Sequence, residues 1–385
     1  MKPSSRLLIL AVMAGYGCTH TDPASITDRR EELPFRLEPP IRLTWSELTE
    51  TEPAFSPDGK SIAYIFERDG DRDRCIGVLP LAGGTRSRTI CAWELDEASA
   101  RDGMSAPGLS SDGRIIFTRQ FGRMFVMPND SSALYIAGST PSDDPARIAS
   151  LPINLPGSAR SWPDLMSPVW ISENEVLALT AQRFPYWGIN CIEDCPDDLL
   201  RVPLIDTLRL GIEIARIRFD NGAPTLLSTF PAIHASDWAY DASTQTIYLL
   251  QRTVDPEDVT FLESTSDTVY RVPLGGGSRE VVFGIDRMDD PVFTRIHGIA
   301  AGNGRLFASI SSPARYDTLA VKLPPGTGLV SNIFEINSDG SRRSLTAALD
   351  RIWGLMALSP DGRTLVAELM NEDRSSDLYM LRTDQ

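Results

Sequence analysis

The chain has 385 residues and a formal net charge of −15, from 37 lysines and arginines against 52 aspartates and glutamates. Nucleic acid is therefore not an expected partner, because binding phosphate backbones relies on clustered lysine and arginine, and no such cluster occurs. An acidic surface favours a basic protein or a cation instead. The apolar content of 42% is enough for a large core, and we expect a monomer.

The first 17 residues have the order of a secretory signal peptide. Positive charges precede an apolar run over residues 7–13, which is shorter than the roughly 20 apolar residues of a membrane-spanning helix. Cys18 follows Gly17 and resembles the acylated cysteine in the lipobox of bacterial lipoproteins, although Gly15 stands where that motif favours leucine. We expect lipidation of Cys18, with ordinary cleavage as the alternative.

A lipid on Cys18 would hold the protein at a membrane through buried methylene groups, with the folded part in water. Residues 18–36 would then form a flexible tether, followed by one folded domain over residues 37–385. The predicted location is the bacterial cell envelope, as an outer-membrane lipoprotein that faces the periplasm or the surface.

Lipidation of Cys18 would leave four cysteines, an even number typical of disulfides in an exported protein. Cys75 and Cys91 flank a glycine-bearing turn at nearly equal distances, so we expect them to face each other across a hairpin. Cys191 and Cys195 would close a small loop of their own. A zinc site is the alternative, but it needs four cysteine or histidine ligands in paired clusters, and the chain has three histidines.

A short pattern recurs six times from about residue 40 onward. Its clearest copies are residues 54–64 and 357–367, and each contains Ser-Pro-Asp-Gly. The equivalent marker residues are Asp58, Asp112, Glu173, Asp241, Asn303 and Asp361, at intervals of 54, 61, 68, 62 and 58 residues. Each marks a tight turn between two short apolar strands, where Asp-Gly or Asn-Gly supplies the positive φ of a hairpin. These intervals fit one four-stranded blade of a β-propeller.

Each turn is followed by a predicted third strand, and a fourth strand then lies at the outer edge of the blade. The predicted third strands are residues 76–81, 124–128, 199–204, 269–274, 333–337 and 378–382. The sixth copy lacks a fourth strand of its own. Residues 40–44 resemble residues 343–346 and precede the first copy, so we expect an N-terminal strand to complete the last blade and remove an exposed sheet edge.

This pattern resembles the six-bladed TolB-like propellers, whose repeats carry a Ser-Pro-Asp-Gly turn of the kind found at residues 56–59 and 359–362. The resemblance implies an all-β fold of six four-stranded antiparallel blades. In the wider group such propellers serve as periplasmic interaction platforms or as gating domains before a serine hydrolase. This chain contains no Gly-x-Ser-x-Gly motif of such a hydrolase.

Candidate binding residues lie where the chain enters the innermost strands, near the mouth of the central channel. The entering segments include Glu52, Met104, Ser167, His234, Asp237 and His297. Of these, Glu52, His234, Asp237 and His297 could bind a divalent metal or exchange protons, or the histidines could simply pack at the blade entrances. Tyr186 and Trp187, in a long insertion expected as a loop over residues 182–196, form a second candidate, because such loops often carry recognition.

No set of catalytic residues stands out. The sequence therefore favours an envelope-anchored platform that binds an envelope protein or peptide, without a cofactor. The alternative is a metal-dependent enzyme of the lactonase or lyase type, in which carboxylates and histidines from several blades converge on one ion in the central channel. Most tryptophans of the repeats, such as Trp238 and Trp353, are expected to pack between blades.

Overall fold

The computed structural model describes most of the chain from residue 39 to residue 384. The described ranges are 39–45, 49–68, 73–91, 103–120, 132–140, 145–147, 164–187, 203–220, 223–254, 264–286, 295–313, 329–346, 351–371 and 375–384. The predicted signal peptide, Cys18 with its tether, and the pair Cys191 and Cys195 lie outside these ranges. No helix in the described part is long and apolar enough to cross a membrane.

The 23 strands of the described residues form six blades of four antiparallel strands, which makes the fold an all-β, six-bladed propeller, as predicted. Blade 1 contains β2 (Glu50–Phe55), β3 (Ser61–Arg68), β4 (Asp73–Pro80) and β5 (Arg88–Cys91), and blade 2 contains β6 (Gly103–Leu109), β7 (Ile115–Gln120), β8 (Ser132–Ala137) and β9 (Ala146–Arg147). Blade 3 contains β10 (Asp164–Trp170), β11 (Glu175–Trp187), β12 (Pro203–Asp220) and the first half of β13 (Ala223–Asp241). Blade 4 contains the second half of β13, β14 (Thr246–Val254), β15 (Ser264–Pro273) and β16 (Glu280–Asp286). Blade 5 contains β17 (Arg295–Gly302), β18 (Arg305–Pro313), β19 (Leu329–Ile336) and β20 (Arg342–Ser344), and blade 6 contains β21 (Trp353–Leu358), β22 (Thr364–Met370), β23 (Ser376–Arg382) and β1 (Ile41–Arg42).

The N-terminal strand completes the last blade, as predicted. β1 pairs antiparallel with β23, so the order of this sheet is β1-β23-β22-β21. The N–H of Leu43 donates to the carbonyl of Leu378 at 2.8 Å, and Leu345 of blade 5 donates in the same way to Ile333 at 2.8 Å. The sequence similarity between residues 40–44 and 343–346 therefore reflects the same position in two blades.

Apolar side chains fill the joints between neighbouring blades. In β3, Ile62 packs toward blade 6, whereas Ala63 packs toward blade 2. Because successive side chains of a strand point to opposite faces, each blade contributes to two joints. Trp353 is fully buried and Trp238 is 6% exposed in such joints, as expected for the aromatic residues of the repeats.

The Ser-Pro-Asp-Gly turns are held by their own side chains. The hydroxyl of Ser56 donates to the carboxylate of Asp58 at 2.6 Å, and this carboxylate also accepts the N–H two residues further on at 3.1 Å. Ser359 and Asp361 repeat the first contact at 2.6 Å. Gly59 has a φ of 69°, the left-handed conformation that favours glycine.

Two of the predicted third strands are wrong. The third strand of blade 2 is β8 rather than residues 124–128, which lie outside the described ranges. In blade 3 it is residues 214–219 of β12, which pair with the start of β11, rather than residues 199–204. In both blades the apolar run that was chosen precedes the strand that pairs with the second strand of the blade.

The predicted disulfide between Cys75 and Cys91 is present. The two residues are directly opposite each other in the β4–β5 ladder, with their Cα atoms 4.1 Å apart. Both side chains are buried in the joint between blades 1 and 6. The disulfide therefore fastens the outer strand of blade 1 to the rest of that blade.

Candidate functional site at the channel mouth

The innermost strand of each blade runs from one face of the ring to the other. We term the face where these strands begin the mouth face, and the opposite face, which carries the Ser-Pro-Asp-Gly turns, the turn face. Near its beginning, every innermost strand has an irregular register with its neighbour. The irregularities fall at residues 51–54, 105–108, 166–169, 235–237, 296–298 and 353–356. Irregularities of this kind re-aim side chains and often lie beside functional sites.

Three of these irregularities hold a non-glycine residue in the left-handed region. Glu52, Ala106 and Ser167 have φ values of 53°, 46° and 49°. Few non-glycine residues adopt this conformation, and it persists where the surrounding structure enforces it. This feature was not predicted, although each of the three residues precedes a proline at the same point of its repeat.

The structure brings most of the predicted channel-mouth residues to this level of the ring. Glu52 and His297 lie within the irregular segments and Asp237 lies at the end of one. The backbone of His234 precedes the same segment as Asp237, but its side chain is outside the described part. Met104 is misplaced in the sequence analysis: its side chain is fully buried between blades 1 and 2, because it points sideways into the joint.

Glu52 and Asp237 each connect their own blade to the next one. One oxygen of Glu52 accepts the N–H of Ala106 in blade 2, and the other lies 3.4 Å from Nη2 of Arg74. Oδ2 of Asp237 accepts the N–H of Ile299 in blade 5 at 2.8 Å. Both carboxylates are thus held in place at the mouth by backbone donors of a neighbouring blade.

Glu368 is a third carboxylate at this level, and its position there was not predicted. Its side chain is 8% exposed, and Oε2 accepts the hydroxyl of Thr51 in blade 1 at 2.8 Å. The N–H of Leu355 lies 3.4 Å from the same oxygen. Glu368 belongs to the second strand of blade 6, and a position inside an apolar strand carries no sequence signal for the channel.

Glu52 influences the ionisation of the other two carboxylates. Burial raises the pKa of Asp237 to about 6 against the opposing N–H groups of Ile299 and Trp238 and the positive charge of Arg252. The negative charge of Glu52 also raises this pKa, by less than Arg252 lowers it. Burial also raises the pKa of Glu368, and Glu52 again adds to the effect. Blades 1 and 4 are opposite each other in a ring of six, so the influence of Glu52 on Asp237 crosses the channel. The mouth is therefore an acidic opening.

His297 of blade 5 lies between the blades that carry Asp237 and Glu368. Among the side chains that the structure describes, no three histidine, cysteine, aspartate or glutamate residues are grouped so that they could hold a metal ion. The side chain of His234 is not in that set. Metal binding at the mouth, and with it the metal-dependent enzyme, stays a prediction.

Tyr186 and Trp187 lie in a strand, not in the predicted loop. β11 continues past Ala181, where its pairing with β10 ends, and its last residues pair with the first half of β12 as far as Pro203. In the described residues no further strand pairs with this part, so it forms a two-stranded extension of blade 3. Because it continues beyond the beginning of β10, the extension lies on the mouth face.

No protein-family model and no curated protein matches the sequence. Among solved structures, that of YjhT matches over 89% of this chain and 98% of its own length, with 9% identity and a TM-score of 0.52. TolB from Acinetobacter baumannii matches over 89% of this chain with 15% identity and a TM-score of 0.38. An acylaminoacyl peptidase in complex with Z-Gly-Gly-Phe-chloromethyl ketone matches over 86%, with 14% identity and a TM-score of 0.45.

This chain spans 56% of the length of that TolB and 44% of the length of that peptidase. At such low identities the likeness concerns the fold alone. The protein is a six-bladed β-propeller with a TolB and a peptidase among its structural neighbours.

Proposed function

We propose that this protein is an exported, envelope-anchored propeller lipoprotein whose mouth face binds an envelope protein or peptide through a basic segment. The observation that carries the proposal is the acidic channel mouth, where Glu52 acts electrostatically on both Asp237 and Glu368. A lysine or arginine side chain is the natural counterpart, because a nearby positive charge favours the ionised form of each carboxylate.

The carboxylates of the mouth are suited to bind a partner as well as to join the blades. Glu52 retains 18% of its side-chain exposure while its position is already set by Ala106 and Arg74. A group that is held in place before binding loses little conformational entropy when the partner arrives. The formal charge of −15 would also steer a basic partner toward the protein.

The extension of blade 3 adds a second contact surface beside the mouth. It carries Tyr186 and Trp187 in the strand that pairs with β12. Aromatic residues are enriched at protein interfaces because one end of the side chain is apolar and the other polar. The extension and the channel mouth would together form one binding face.

Anchoring rests on the signal sequence and on Cys18, with support from the disulfide between Cys75 and Cys91. Disulfides persist mainly in oxidising compartments outside the cytosol. About 20 residues separate Cys18 from the first described residue, Pro39. A flexible tether of this length has an average end-to-end distance of about 25 Å, which would keep the ring close to the membrane.

The direct test compares Glu52→Gln with Glu173→Gln. The first removes a charge from the mouth but keeps an oxygen for the N–H of Ala106, and the second removes an equal charge from an exposed residue of the turn face. A partner would first be captured from crosslinked native envelopes and identified by mass spectrometry. We expect Glu52→Gln to weaken the purified complex about 10-fold, about 1.4 kcal/mol, and Glu173→Gln to leave it unchanged.

Equal affinities for the two variants, or no captured partner, would contradict binding at the mouth. Mass spectrometry of the same bait tests anchoring, because an unmodified N-terminus would exclude acylation of Cys18. Stoichiometric metal in the purified protein, lost in His297→Ala, would favour the metal-dependent enzyme instead.

A further inference from the structure

The joint between blade 6 and blade 1 contains buried charges. We term it the closure joint, because the N-terminal strand β1 closes the ring there against β23, beside the beginning of β2. The side chains of Glu50 and Asp377 are each 1% exposed, and that of Arg42 is 6% exposed. Nη2 of Arg42 contacts Oδ2 of Asp377 at 2.7 Å. One of the two buried carboxylates therefore has a buried countercharge.

The other carboxylate, Glu50, has a weaker countercharge. Its Oε1 lies 3.2 Å from Nη2 of Arg86, whose side chain is 36% exposed and whose Nε also donates to the hydroxyl of Tyr64 at 2.6 Å. Asp377 adds a second negative charge to the joint, and its Oδ1 has no hydrogen-bond partner among the described residues. Two carboxylates that share a buried site favour the binding of a proton by one of them.

The joint between blades 5 and 6 shows that these charges are not required to hold two blades together. Asn332 of blade 5 occupies the position of Asp377 of blade 6. Each residue lies in the third strand of its blade, opposite the last innermost-strand pair before the register irregularity. Trp353 occupies the position of Glu50, because its partner Leu369 corresponds to Phe66, the partner of Glu50 in the adjacent strand. Neutral residues thus stand at both equivalent positions in a joint where the chain is continuous.

Few hydrogen bonds hold the N-terminal strand in the ring. β1 has two residues in the ladder with β23. Beyond them, Leu43 donates to the carbonyl of Leu378 at 2.8 Å, and the N–H of Leu378 donates to Oγ1 of Thr44 at 2.9 Å. The hydroxyl of Ser376 donates to the carbonyl of Glu50 at 2.9 Å, so the backbone of Glu50 is part of the same contact. A short edge strand of this kind opens at a lower free energy than the core of a blade.

We propose that closure of the ring is proton-dependent: a proton on Glu50 keeps the N-terminal strand in blade 6, and its loss favours release of that strand. Opening would place Glu50 in water, and the proton would pass to the solvent. This inference concerns the chain ends and is independent of the proposed partner.

The ionisation of Glu50 fits this direction. Burial raises its pKa to about 7, against the opposing effects of the Thr44 hydroxyl and Arg86, and Asp377 raises it further. In the open joint the pKa would return to its ordinary value of 4.5. Because the closed state then binds the proton more tightly, closure strengthens as the pH falls from 7 toward 4.5 and is weakest above pH 7. Glu368, which accepts the hydroxyl of Thr51 across the same joint, acts in the same direction, because burial raises its pKa.

Hydrogen–deuterium exchange of single amides in the full chain tests the proposal. The amides of Leu43 and Leu378 report the closure joint, and those of Leu345 and Ile333 are matched controls with the same bonds in blade 5. After correction for intrinsic exchange, we expect protection of Leu43 and Leu378 to fall roughly 70-fold between pH 5 and pH 8. Where the two control amides exchange by local opening of blade 5, which leaves Glu50 buried, their protection should stay constant.

Glu50→Gln removes the titrating group and keeps a neutral side chain of the same shape. Leu43 and Leu378 should then be equally protected at both pH values, whereas the surface variant Glu280→Gln should behave like the unmodified chain. Constant protection of the closure amides in the unmodified chain would overturn the proposal, and so would an equal fall at the blade 5 amides. Should Glu50→Gln fail to fold, the comparison of the two amide pairs in the unmodified chain still decides the question.

Discussion

The two faces of the ring use carboxylates in opposite ways. On the turn face, Asp58 and Asp361 are exposed, and hydrogen bonds from Ser56 and Ser359 and from nearby backbone N–H groups lower the pKa of each. On the mouth face, burial raises the pKa of Glu368, and it raises the pKa of Asp237 to about 6. Asp58 and Asp361 bond within their own turns, whereas the mouth carboxylates bond to the next blade. Asp241, the turn marker of the fourth repeat, does both, because it also accepts the N–H of Gly304 in blade 5 at 2.8 Å.

This difference shows which contacts of a propeller form within one blade and which need two blades to pack together. A Ser-Pro-Asp-Gly turn needs only neighbours in sequence, so it forms in any blade that carries the motif. A carboxylate at the mouth needs a second blade to supply its donor and to exclude water. Each mouth carboxylate is therefore held only when its blade packs against the next one, and the contact between Glu368 and Thr51 also needs a closed ring.

The largest expected effect is a pH dependence of stability that comes from the mouth face. Raised carboxyl pKa values stabilise the fold fully below the ordinary value, and this stabilisation is lost as the pH rises through the folded value of about 7 for Glu50 or about 6 for Asp237. Each group should change the free energy of unfolding by up to about 3 kcal/mol. Urea unfolding should give a higher midpoint at pH 5.5 than at pH 8. A midpoint that rises between these pH values would contradict the account.

The turn carboxylates should act in the opposite direction and at lower pH. Their lowered pKa values stabilise the fold above about pH 4, and this stabilisation is lost as the pH falls below that value. Stability should therefore be greatest between about pH 4 and pH 6.

Removal of the disulfide should have the next largest effect. The bond joins residues with a sequence separation of 16 in the mouth-side half of blade 1. Its loss in Cys75→Ala/Cys91→Ala should lower the free energy of unfolding by about 3 kcal/mol. Reduction of the unmodified protein serves as the control, since it breaks the same bond without changing core volume. No change in either sample would show that the bond is not formed in solution.

Glycine substitutions on the two faces should lower the free energy of unfolding by different but smaller amounts. A Cβ on Gly298 would lie 2.9 Å from the carbonyl oxygen of Gly354 in the next blade, whereas a Cβ on Gly304 at the turn face would meet nothing within 4 Å. Gly298→Ala should cost about 2 kcal/mol because two backbones must separate. Gly304→Ala should cost about 1 kcal/mol, from its positive φ alone. If thermal unfolding shows equal losses of stability for the two variants, the blades can move apart at the mouth face without a free-energy penalty.

Removal of a serine hydroxyl in a turn should have the smallest effect on the free energy of unfolding. Ser359→Ala removes the donor to Asp361 and an acceptor for the N–H of Thr364. A single exposed or half-buried hydrogen-bond network of this kind contributes about 1 kcal/mol. Amide exchange should increase in blade 6 near the turn while the amide of Ile299, which is held by Asp237, keeps its protection. A fall in protection at Ile299 would show that the two faces are coupled.

The fold could be predicted from the sequence because its determinants are local. The turn at Asp58, the cysteines placed symmetrically about a turn, and the likeness of residues 40–44 to residues 343–346 each report a contact between nearby or equivalent positions. The third strands of blades 2 and 3 were placed wrongly, because in each blade an apolar run comes before the strand that pairs.

The site could be predicted only in part. The position of Glu52, Asp237 and His297 at the mouth face was predicted because each stands at the entrance to an innermost strand. Their role in binding stays a prediction. Glu368 was missed, since its approach to the mouth depends on how blade 6 packs against blade 1. Met104 was misplaced because its side chain packs into the joint between blades 1 and 2 instead of facing the channel. Burial of a carboxylate depends on packing between distant segments, which a single sequence does not display.

The most direct measurement is the number of protons that the protein releases on unfolding in urea at pH 6. Glu50 and Asp237, with pKa values of about 7 and about 6 in the folded chain, should together release between about one and two protons. That release is measured as the difference between the unmodified chain and Glu50→Gln/Asp237→Asn, which cancels the histidines. A difference of one proton or more would establish that the mouth and the closure joint hold protons near neutral pH. A difference of zero would mean that both carboxylates are ionised in the folded ring, and it would contradict the account.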